Sequence, residues 1–320
     1  MSLHDALQPA GPQAAHIAGL WWLVLAICTV VFVAILVALA WALWRAPRAD
    51  AATPPEIAPP EATSRRFGRG IAAALGVCIV LLLFLLVASV ATDRALASLP
   101  LANAVQIHLT AHRWWWEATY DDPKPERIFY TANELRVPVG RPVIVTLDSD
   151  DVIHSFWVPS LHGKKDLIPG RTSKITFRAD RPGAYRGQCA EYCGLQHAHM
   201  GFEVIALPPA DYEKWASAQR EPAPEPADEK ARRGRDLFLS GSCMLCHAVR
   251  GTTANGRKAP DLTHVASRTE LAAGLLPNTP QALAEWIHDP QAIKPGVNMP
   301  AHLLAQADLD ALVAYLETLK

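Results

Sequence analysis

Two thiols, a thioether and two imidazoles are the side chains of this sequence that are best suited to metal chemistry. Cys189, Cys193, His197 and Met200 fall within one short segment, and His154 stands upstream of it. Soft sulfur ligands mixed with imidazole select copper over hard cations. A mononuclear blue-copper site needs one cysteine, two histidines and a weakly bound methionine. The extra cysteine therefore points to two metal ions that share bridging sulfurs.

Two plainer interpretations of the cysteine pair remain open from the residues alone. Cys189 and Cys193 could form a disulfide, which an extracytoplasmic domain permits. They could also belong to an ordinary zinc site. The histidine and methionine that follow, together with the upstream histidine, favour copper over both interpretations.

A second cluster, Cys-Met-Leu-Cys-His at positions 243–247, has the attachment pattern of a c-type haem. Cys243 and Cys246 would bind the haem vinyl groups, and His247 would be the proximal iron ligand. The alternative is a redox C-x-x-C pair in a thioredoxin-like fold. That alternative requires a βαβ context, which the neighbouring residues do not show.

The sixth iron ligand follows by elimination among the four methionines of the chain. Met1 is the first residue, Met200 belongs to the first cluster, and Met244 lies between the haem cysteines. Met299 therefore remains as the candidate ligand. A His/Met pair raises the reduction potential relative to a bis-histidine pair, which suits a donor to copper. Three histidines offer the bis-histidine alternative: His264, His288 and His302.

Two long uncharged segments indicate that the chain is anchored in a membrane. Residues 17–44 and 71–92 contain no Asp, Glu, Lys or Arg, and each exceeds the roughly 20 residues that cross a bilayer as a helix. A signal peptide is a weaker interpretation of the first segment, because no Lys or Arg precedes it. Five arginines between the segments predict a cytoplasmic loop: Arg45, Arg48, Arg65, Arg66 and Arg69.

This orientation places both termini, and everything after the second segment, on the periplasmic side of a bacterial inner membrane. The prolines at 54–55 and 59–60 predict an irregular loop. The net charge of −1 excludes a basic nucleic-acid binder. Cys28 and Cys78 lie in the apolar segments, where a small apolar side chain suffices as an explanation. The remaining cysteines belong to the two motifs, so we expect no structural disulfide.

The elements that must position the first cluster are short strands. Between 101 and 220, alternating apolar residues separated by Gly and Pro predict an all-β sandwich or small barrel. The predicted strands lie at 105–109, 135–139, 143–147, 174–177 and 202–205.

A Pro/Ala/Glu-rich linker at 221–228 separates this domain from an all-α domain at 229–320. We expect helices at 231–239, 280–288 and 306–319 there. In the last helix, apolar residues share one face at helical spacing and are expected to cover the haem: Leu309, Leu312, Val313 and Leu316.

The copper cluster, together with the stretches 155–160 and 166–171, resembles cytochrome c oxidase subunit II over most of residues 93–207. The resemblance implies a cupredoxin fold and a dinuclear copper-A centre. Glu191 would give its backbone carbonyl to copper, and its carboxylate would face a magnesium or manganese ion at the boundary with subunit I. By the same resemblance, the side-chain copper ligands are His154, Cys189, Cys193, His197 and Met200.

Two further residues near the cluster have competing interpretations. In the family, a tryptophan lies between the docked cytochrome and copper, and Trp114 aligns best with it as a possible electron-entry residue. The alternative is that its amphipathic ring simply packs in the core. His199, two residues after His197, is interpreted as an ordinary rim histidine.

The whole chain resembles subunit II of a caa-type oxidase, with a transmembrane hairpin over 1–100, a copper-A domain and a class I cytochrome c domain. The resemblance implies an electron relay from a cytochrome c, through haem c and copper-A, to haem in subunit I. Dioxygen reduction and proton translocation would occur in subunit I. The implied partners are subunits I and III, a cytochrome c donor rather than quinol, and the lipid bilayer.

Three alternative functions remain open. A nitric oxide reductase could use a similar copper-A subunit, because the partner chain sets the terminal acceptor. A copper metallochaperone also uses C-x3-C with a distant histidine, but it would lack the methionine and the haem motif. A free-standing electron carrier would not need the two-helix anchor.

Overall fold

A computed structural model describes residues 4–46 and 61–320, and two long helices come first. Helix α1 spans Pro12–Arg45 and helix α2 spans Glu61–Ala97. Their most apolar windows have mean hydropathies of 3.2 and 3.1 and are unburied. Each helix is therefore long and apolar enough to cross a bilayer. Residues 16–98 form one compact unit of the chain.

Both helices extend beyond the uncharged segments of the sequence. Because α2 already begins at Glu61, Arg65, Arg66 and Arg69 lie in its first turns and not in an irregular loop. Arg48 and the prolines at 54–55 and 59–60 lie outside the described residues.

The second compact unit consists of Met1–Ala15 and Leu99–Lys320, and its first part is a two-sheet β domain. One sheet has the strand order β3-β2-β1-β5-β8, and the other has the order β4-β10-β9-β6-β7. The pairs β1/β5 and β4/β10 are parallel, and the remaining pairs within the sheets are antiparallel. The strands are β1 (Val105–His112), β2 (Trp115–Tyr120), β3 (Phe129–Ala132), β4 (Glu134–Pro138), β5 (Val143–Ser149), β6 (His154–Trp157), β7 (Lys165–Leu167), β8 (Ser173–Phe177), β9 (Gly183–Cys189) and β10 (Gly201–Leu207).

The core lies between the two sheets. Side chains alternate between the faces of a strand, and the inward apolar residues of β1 and β5 are buried. In the opposite sheet, Phe156 on β6 and Phe202 on β10 stack on each other, with their ring centroids 4.9 Å apart. Burial of these apolar faces explains why the five alternating stretches of the sequence become strands.

A glycine in β9 brings two segments of the candidate metal site together. A Cβ atom at Gly187 would lie 2.3 Å from the ring of Phe202, which is its register partner on β10. Only glycine leaves room for that ring. At the end of this strand pair, Cys189 N donates to Met200 O over 3.0 Å.

Helix α3 (Pro209–Ala218) closes the β domain, and the linker at 221–228 follows without regular structure. The linker packs on the last domain, because Ala223 N donates to Arg250 O over 2.9 Å. The last domain contains α4 (Glu229–Ser240), α5 (Cys243–Cys246), α6 (Pro280–His288), α7 (Pro290–Ile293), α8 (Gln306–Thr318) and the short strands β11 (Glu270–Leu271) and β12 (Leu276–Pro277).

Local capping sets where two of these helices begin. Asp228 accepts from Ala231 N at the start of α4, over 2.8 Å. Thr279 accepts from Ala282 N at the start of α6, with Pro280 at the first helical position. Both arrangements satisfy backbone donors that have no partner inside the helix.

The apolar face of α8 serves mainly the domain core. Leu309, Leu312 and Val313 are buried in one cluster with Phe238 of α4. Of the residues expected to cover the haem, Leu316 alone lines the large cavity of this domain. Together, the two apolar helices, the β domain and the helical domain confirm the multidomain fold class predicted from the sequence.

The segment that leads into α1 packs on the β domain. Ala10 N donates to Ser160 O over 2.7 Å, and Asp180 N donates to Ala10 O over 2.8 Å. Gly11 fits because any Cβ there would lie 2.1 Å from Arg178 O. The N-terminal end of α1 therefore lies beside the β domain.

Candidate functional site

The structure brings the five predicted copper ligands into one cluster at the end of the β domain. His154 begins β6, Cys189 ends β9, and the loop between β9 and β10 supplies Cys193, His197 and Met200. The sulfur atoms of the two cysteines lie 3.8 Å apart. The sulfur of Cys193 lies 3.6 Å from His197 Nδ1 and 3.8 Å from Met200 Sδ.

The other thiol has its own imidazole and carbonyl neighbours. Cys189 Sγ lies 3.8 Å from His154 Nδ1 and 3.2 Å from the backbone oxygen of Glu191. The ligand atoms of His154, Cys189 and Cys193 all lie within 4.8 Å of one another. This donor set, two thiols between two imidazoles with a thioether and a carbonyl, is soft and suits copper.

The cluster is shielded from solvent. Four of its residues are each no more than 3% exposed: His154, Cys189, Cys193 and Met200. His197 is half-buried and His199 is exposed. His199 Nδ1 lies 2.8 Å from Gln196 Oε1, so the structure gives it a position on the rim.

Hydrogen bonding makes the two thiols unequal in the metal-free chain. The bond from the Cys193 thiol lowers the pKa of Cys189, and the imidazole of His154 lowers it further. The same bond, together with desolvation, raises the pKa of Cys193. A bound metal would replace the proton that the two thiols retain.

A carboxylate that the sequence analysis missed holds the first histidine. Asp151 Oδ1 lies 2.8 Å from His154 Nε2, and the other oxygen of Asp151 accepts from Arg113 N over 2.7 Å. Burial lowers the pKa of His154, but the bonds to Cys189 and Asp151 outweigh it, and the net shift is upward. This contact turns Nδ1 of His154 toward the sulfurs, as outer carboxylates do for metal-bound histidines.

The loop between β9 and β10, residues 190–200, is called the metal loop here. Two of the three consecutive tryptophans face it. Trp114 Nε1 donates to Cys193 O over 3.0 Å, and its ring is only 7% exposed. Trp116 Nε1 donates to Met200 O over 3.4 Å. Trp115 points elsewhere and stacks on His112 at 4.5 Å.

Glu191 has separate roles for its main chain and its side chain. Its carbonyl faces Cys189 Sγ, whereas its carboxylate accepts from Lys164 Nζ over 3.0 Å. Lys164 also donates to Asp166 over 2.9 Å. The carboxylate is thus paired with an ammonium group in the isolated chain.

The helical domain contains a cavity of about 1000 Å³, counting the part open to solvent, and His247 and Met299 both line it. Apolar side chains make up much of the wall, among them Leu262, Leu283 and Ile287. Cys243 and Cys246 stand next to His247 on α5. A large apolar cavity with a histidine, a methionine and two adjacent free thiols fits a covalently bound haem.

The orientation of His247 suits iron binding. Its Nδ1 lies 2.7 Å from Pro260 O and donates to it, which leaves Nε2 as the acceptor nitrogen. Burial lowers the pKa of His247 and so favours the neutral imidazole that a metal requires. Gln291 Nε2 donates to Met299 O over 2.8 Å and so helps to hold the methionine loop.

The three alternative histidines do not line this cavity. His264 Nδ1 lies 2.7 Å from Lys320 O, at the chain end. His288 is exposed at the end of α6, and His302 is half-buried. Among the described residues that form the cavity wall, Met299 is the only methionine and His247 the only histidine.

The β domain also contributes to the wall of this cavity. Arg113, Trp114, Trp115 and Asn133 line it together with residues of the helical domain. Trp114 therefore touches the metal loop through its indole nitrogen and borders the cavity as well.

Comparisons with known proteins agree with these two sites. Residues 123–207 match the family "Cytochrome C oxidase subunit II, periplasmic domain", and residues 231–320 match the family "Cytochrome c". The chain is 42% identical over 220 residues to cytochrome c oxidase subunit 2 of Alkalihalophilus pseudofirmus, a match that covers 68% of this chain and 62% of that protein.

Two further relatives give the extent of the similarity. Cytochrome c oxidase subunit 2 of Bacillus sp. (strain PS3) is 34% identical over 261 residues, which cover 76% of this chain and 72% of that protein. The chain is also similar to the crystal structure of the periplasmic domain of subunit II of cytochrome oxidase of Bradyrhizobium japonicum, with 29% sequence identity. That match covers 36% of this chain and 93% of the solved chain, with a TM-score of 0.34. The chain belongs to the cytochrome c oxidase subunit II family and carries a cytochrome c domain at its C-terminal end.

Proposed function

We propose that the chain relays single electrons from a cytochrome c, through its own haem c and a dinuclear copper-A centre, to haem in subunit I of a terminal oxidase. The observation that carries this proposal is the placement of Trp114, which borders the cavity lined by His247 and Met299 and hydrogen-bonds to the loop of the copper cluster. Dioxygen reduction and proton translocation then belong to subunit I.

Specific residues would hold each group. Copper would be bound by His154, Cys189, Cys193, His197 and Met200 and by the carbonyl of Glu191; haem c would be bound by Cys243 and Cys246, with His247 and Met299 as iron ligands. When bound, the two groups supply one-electron carriers. The residues around them exclude water and hold the ligands in place, so little rearrangement should accompany each electron transfer.

The proposal includes four segments of the chain: a hairpin over 1–100, a copper-A domain over 101–220, a linker over 221–228 and a cytochrome domain over 229–320. It also includes the orientation of the chain in the membrane. The contacts of Ala10 with Ser160 and Asp180 support a periplasmic N-terminus, because they join the start of α1 to the β domain. The arginines in the first turns of α2 support a cytoplasmic position for that end of the helix.

Subunits I and III are the proposed membrane partners, and a cytochrome c is the proposed donor. The donor set of the copper cluster favours a cytochrome c over quinol. A magnesium or manganese ion at the boundary with subunit I would take the carboxylate of Glu191 away from Lys164. The relatives named cytochrome c oxidase subunit 2 favour this function over a nitric oxide reductase or a metallochaperone.

The experiment that tests the function is metal and haem analysis of the full chain in detergent, with electron paramagnetic resonance and optical spectra. We expect two copper ions per chain with a mixed-valence signal, and one covalently bound low-spin haem. One copper, zinc or no metal in a folded, haem-containing chain would contradict the copper-A assignment. Oxygen consumption by the complex with subunit I then separates an oxidase from a nitric oxide reductase.

A further inference from the structure

Lys294 is an unusual residue of the cytochrome domain, because its side chain is completely buried and bonded across the domain boundary. The residue is 2% exposed. Its Nζ donates to Trp114 O of the copper domain and to Ala272 O of the cytochrome domain, each over 2.9 Å. Lysine is almost never fully buried in proteins unless its charge is paired, and here both hydrogen-bond acceptors are backbone carbonyls.

These two bonds do not depend on the charge of the side chain. Desolvation lowers the pKa of Lys294 to about 7. A protonated amine has three N–H donors and a neutral amine has two. Both carbonyls can therefore keep their hydrogen bonds on either side of neutral pH.

The segment after Lys294 packs on the metal loop and on the same tryptophan. Gln196 of the metal loop donates through Nε2 to Pro295 O over 2.8 Å. At Gly296, a Cβ atom would lie 3.4 Å from the ring of Trp114. Trp114 is thus held at its carbonyl by Lys294 and at its indole nitrogen by the carbonyl of Cys193, and Gly296 leaves room beside its ring.

Lys294 and Trp114 also line the cavity that contains Met299 and His247. The main-chain bond from Gly201 N to Ala273 O, at 3.0 Å, joins the two domains beside Ala272. The buried side chain of Lys294 therefore joins Trp114 to Ala272 beside this cavity, and the next residue, Ala273, bonds to the first residue of β10.

We propose that Lys294 is an interdomain positioning residue of the relay, which holds Trp114 against the haem pocket so that electrons pass between the two centres in one fixed arrangement of the domains. This inference rests on the proposed function. Electron tunnelling slows steeply with distance, so loss of the two hydrogen bonds slows the transfer from haem c to copper-A even where both centres remain loaded.

The test compares Lys294→Met with the wild-type chain, as full-length protein in detergent with copper and haem bound. Methionine keeps an unbranched side chain and removes the donors. The haem is photoreduced, and electron transfer is followed by haem absorbance in the visible and copper absorbance in the near infrared. The matched control is Lys230→Met, because Lys230 is exposed on α4. The midpoint potentials of both centres are measured in each variant. Transfer rates are then compared at equal driving force, and a difference of 59 mV corresponds to a tenfold change in the equilibrium constant of a one-electron transfer.

We expect Lys294→Met to slow the transfer at least tenfold and Lys230→Met to leave it unchanged. Amide hydrogen exchange gives a second readout, because the amide of Gly201 should exchange faster in Lys294→Met when its bond to Ala273 opens. A transfer rate within twofold of wild type, with unchanged exchange at Gly201, would overturn the assignment.

A second variant covers the case in which Lys294→Met does not fold. Lys294→Leu also removes the donors and should slow the transfer in the same way; a wild-type rate and wild-type exchange there would contradict the proposal. The proposed function and the role of Lys294 are contradicted by different results. A wild-type chain without two coppers or without haem contradicts the proposed function, whereas a loaded Lys294 variant with unaltered transfer contradicts only the role of Lys294.

Discussion

At the scale of single residues, neighbouring aspartates differ sharply in what they touch. Asp151 is bonded to His154 Nε2 and to two backbone amides, of Arg113 and Val152. Asp150 has a side chain that is 69% exposed and lies 3.3 Å from His112. Only Asp151 can therefore orient a ligand of the candidate copper centre.

Asp151→Asn should weaken copper binding while leaving the fold intact. The amide keeps the shape of the side chain but loses the charge that orients and polarises the imidazole, and such changes typically reduce metal affinity about 10- to 100-fold. Copper retention against a competing chelator measures the loss. Asp150→Asn is the matched control and should retain copper as wild type does; equal retention in both variants would contradict the role given to Asp151.

Met299→Ala should leave haem covalently attached but remove the proposed sixth ligand of its iron. Cys243 and Cys246 still anchor the haem, so the haem content stays constant. The optical spectrum should shift from low spin toward high spin, and the reduction potential should fall, since methionine ligation raises it relative to histidine. Leu303→Ala, an exposed residue of the same loop, serves as control. An unchanged spectrum would contradict Met299 as the ligand.

Glu117 gives a prediction for the pH dependence of stability. Burial raises its pKa above the ordinary 4.5, against the opposing influence of His112 and Arg257. A folded-state pKa above the unfolded one means that the stability present at low pH is lost as the pH rises through the raised value. Glu117→Gln should remove this loss.

The melting temperature of Glu117→Gln should therefore exceed that of wild type by about 1–2 °C at pH 7, and the difference should disappear near pH 4. Thermal unfolding of the full chain, followed by circular dichroism, measures it. Glu126→Gln, at an exposed position, should show no such trend. A Glu117→Gln variant that is less stable at pH 7 would mean that attraction to His112 and Arg257 outweighs desolvation.

At the scale of elements, the pairing of β9 with β10 determines whether the proposed copper ligands meet. Cys189 ends one strand and Met200 precedes the other, and the register places Gly187 opposite Phe202. The ring of Phe202 occupies the space that a side chain at 187 would need, and it contacts Trp116 at 5.1 Å between ring centroids. The glycine is thus a packing requirement of the strand pair.

Gly187→Ala should destabilise the copper domain by about 1–3 kcal/mol, the usual cost of overpacking a core. Chemical unfolding of the full chain measures the change. Because the clash is with one ring, adding Phe202→Leu should recover part of the loss, so the double variant is more stable than the sum of the single changes predicts. Strict additivity would contradict this explanation.

At the scale of the whole molecule, the copper and cytochrome domains share a broad polar interface. Arg186 forms an ion pair with Glu270 at 2.6 Å, and Arg136 donates to Ser267 O over 3.0 Å. The amide of Thr269 donates to Glu134 over 3.0 Å. These contacts indicate a docked cytochrome domain, whereas the linker composition alone predicts a tethered one.

A protease site inserted between Pro224 and Glu225 tests this arrangement. After cleavage, the cytochrome fragment should still co-elute with the copper domain on size-exclusion chromatography in detergent, because the interface and not the linker holds it. Arg186→Glu should replace the ion pair with Glu270 by repulsion between two carboxylates and so weaken co-elution, most clearly at low salt. Immediate separation of the cleaved wild-type chain would show that the linker is the main connection.

Local patterns in the sequence predicted the fold class and much of the secondary structure. Ligand identity and spacing were enough to predict a copper cluster and a covalent haem, because these motifs depend on residue type. Helix α6 was predicted with the bounds that the structure shows, since Thr279 and Pro280 act locally. Strand β9 was not predicted, because its glycine and arginine residues carry little strand preference of their own and pair only in context.

The residues that support these motifs can be identified only in the folded chain. Asp150 and Asp151 look equivalent in the sequence, and the strand ends determine which one reaches His154. Lys294 has no distinguishing signal in the sequence, and its role depends on the docking of two domains. The physical reason is the same in both cases: contacts between residues far apart along the chain are set by sheet register and domain packing, which local patterns do not encode.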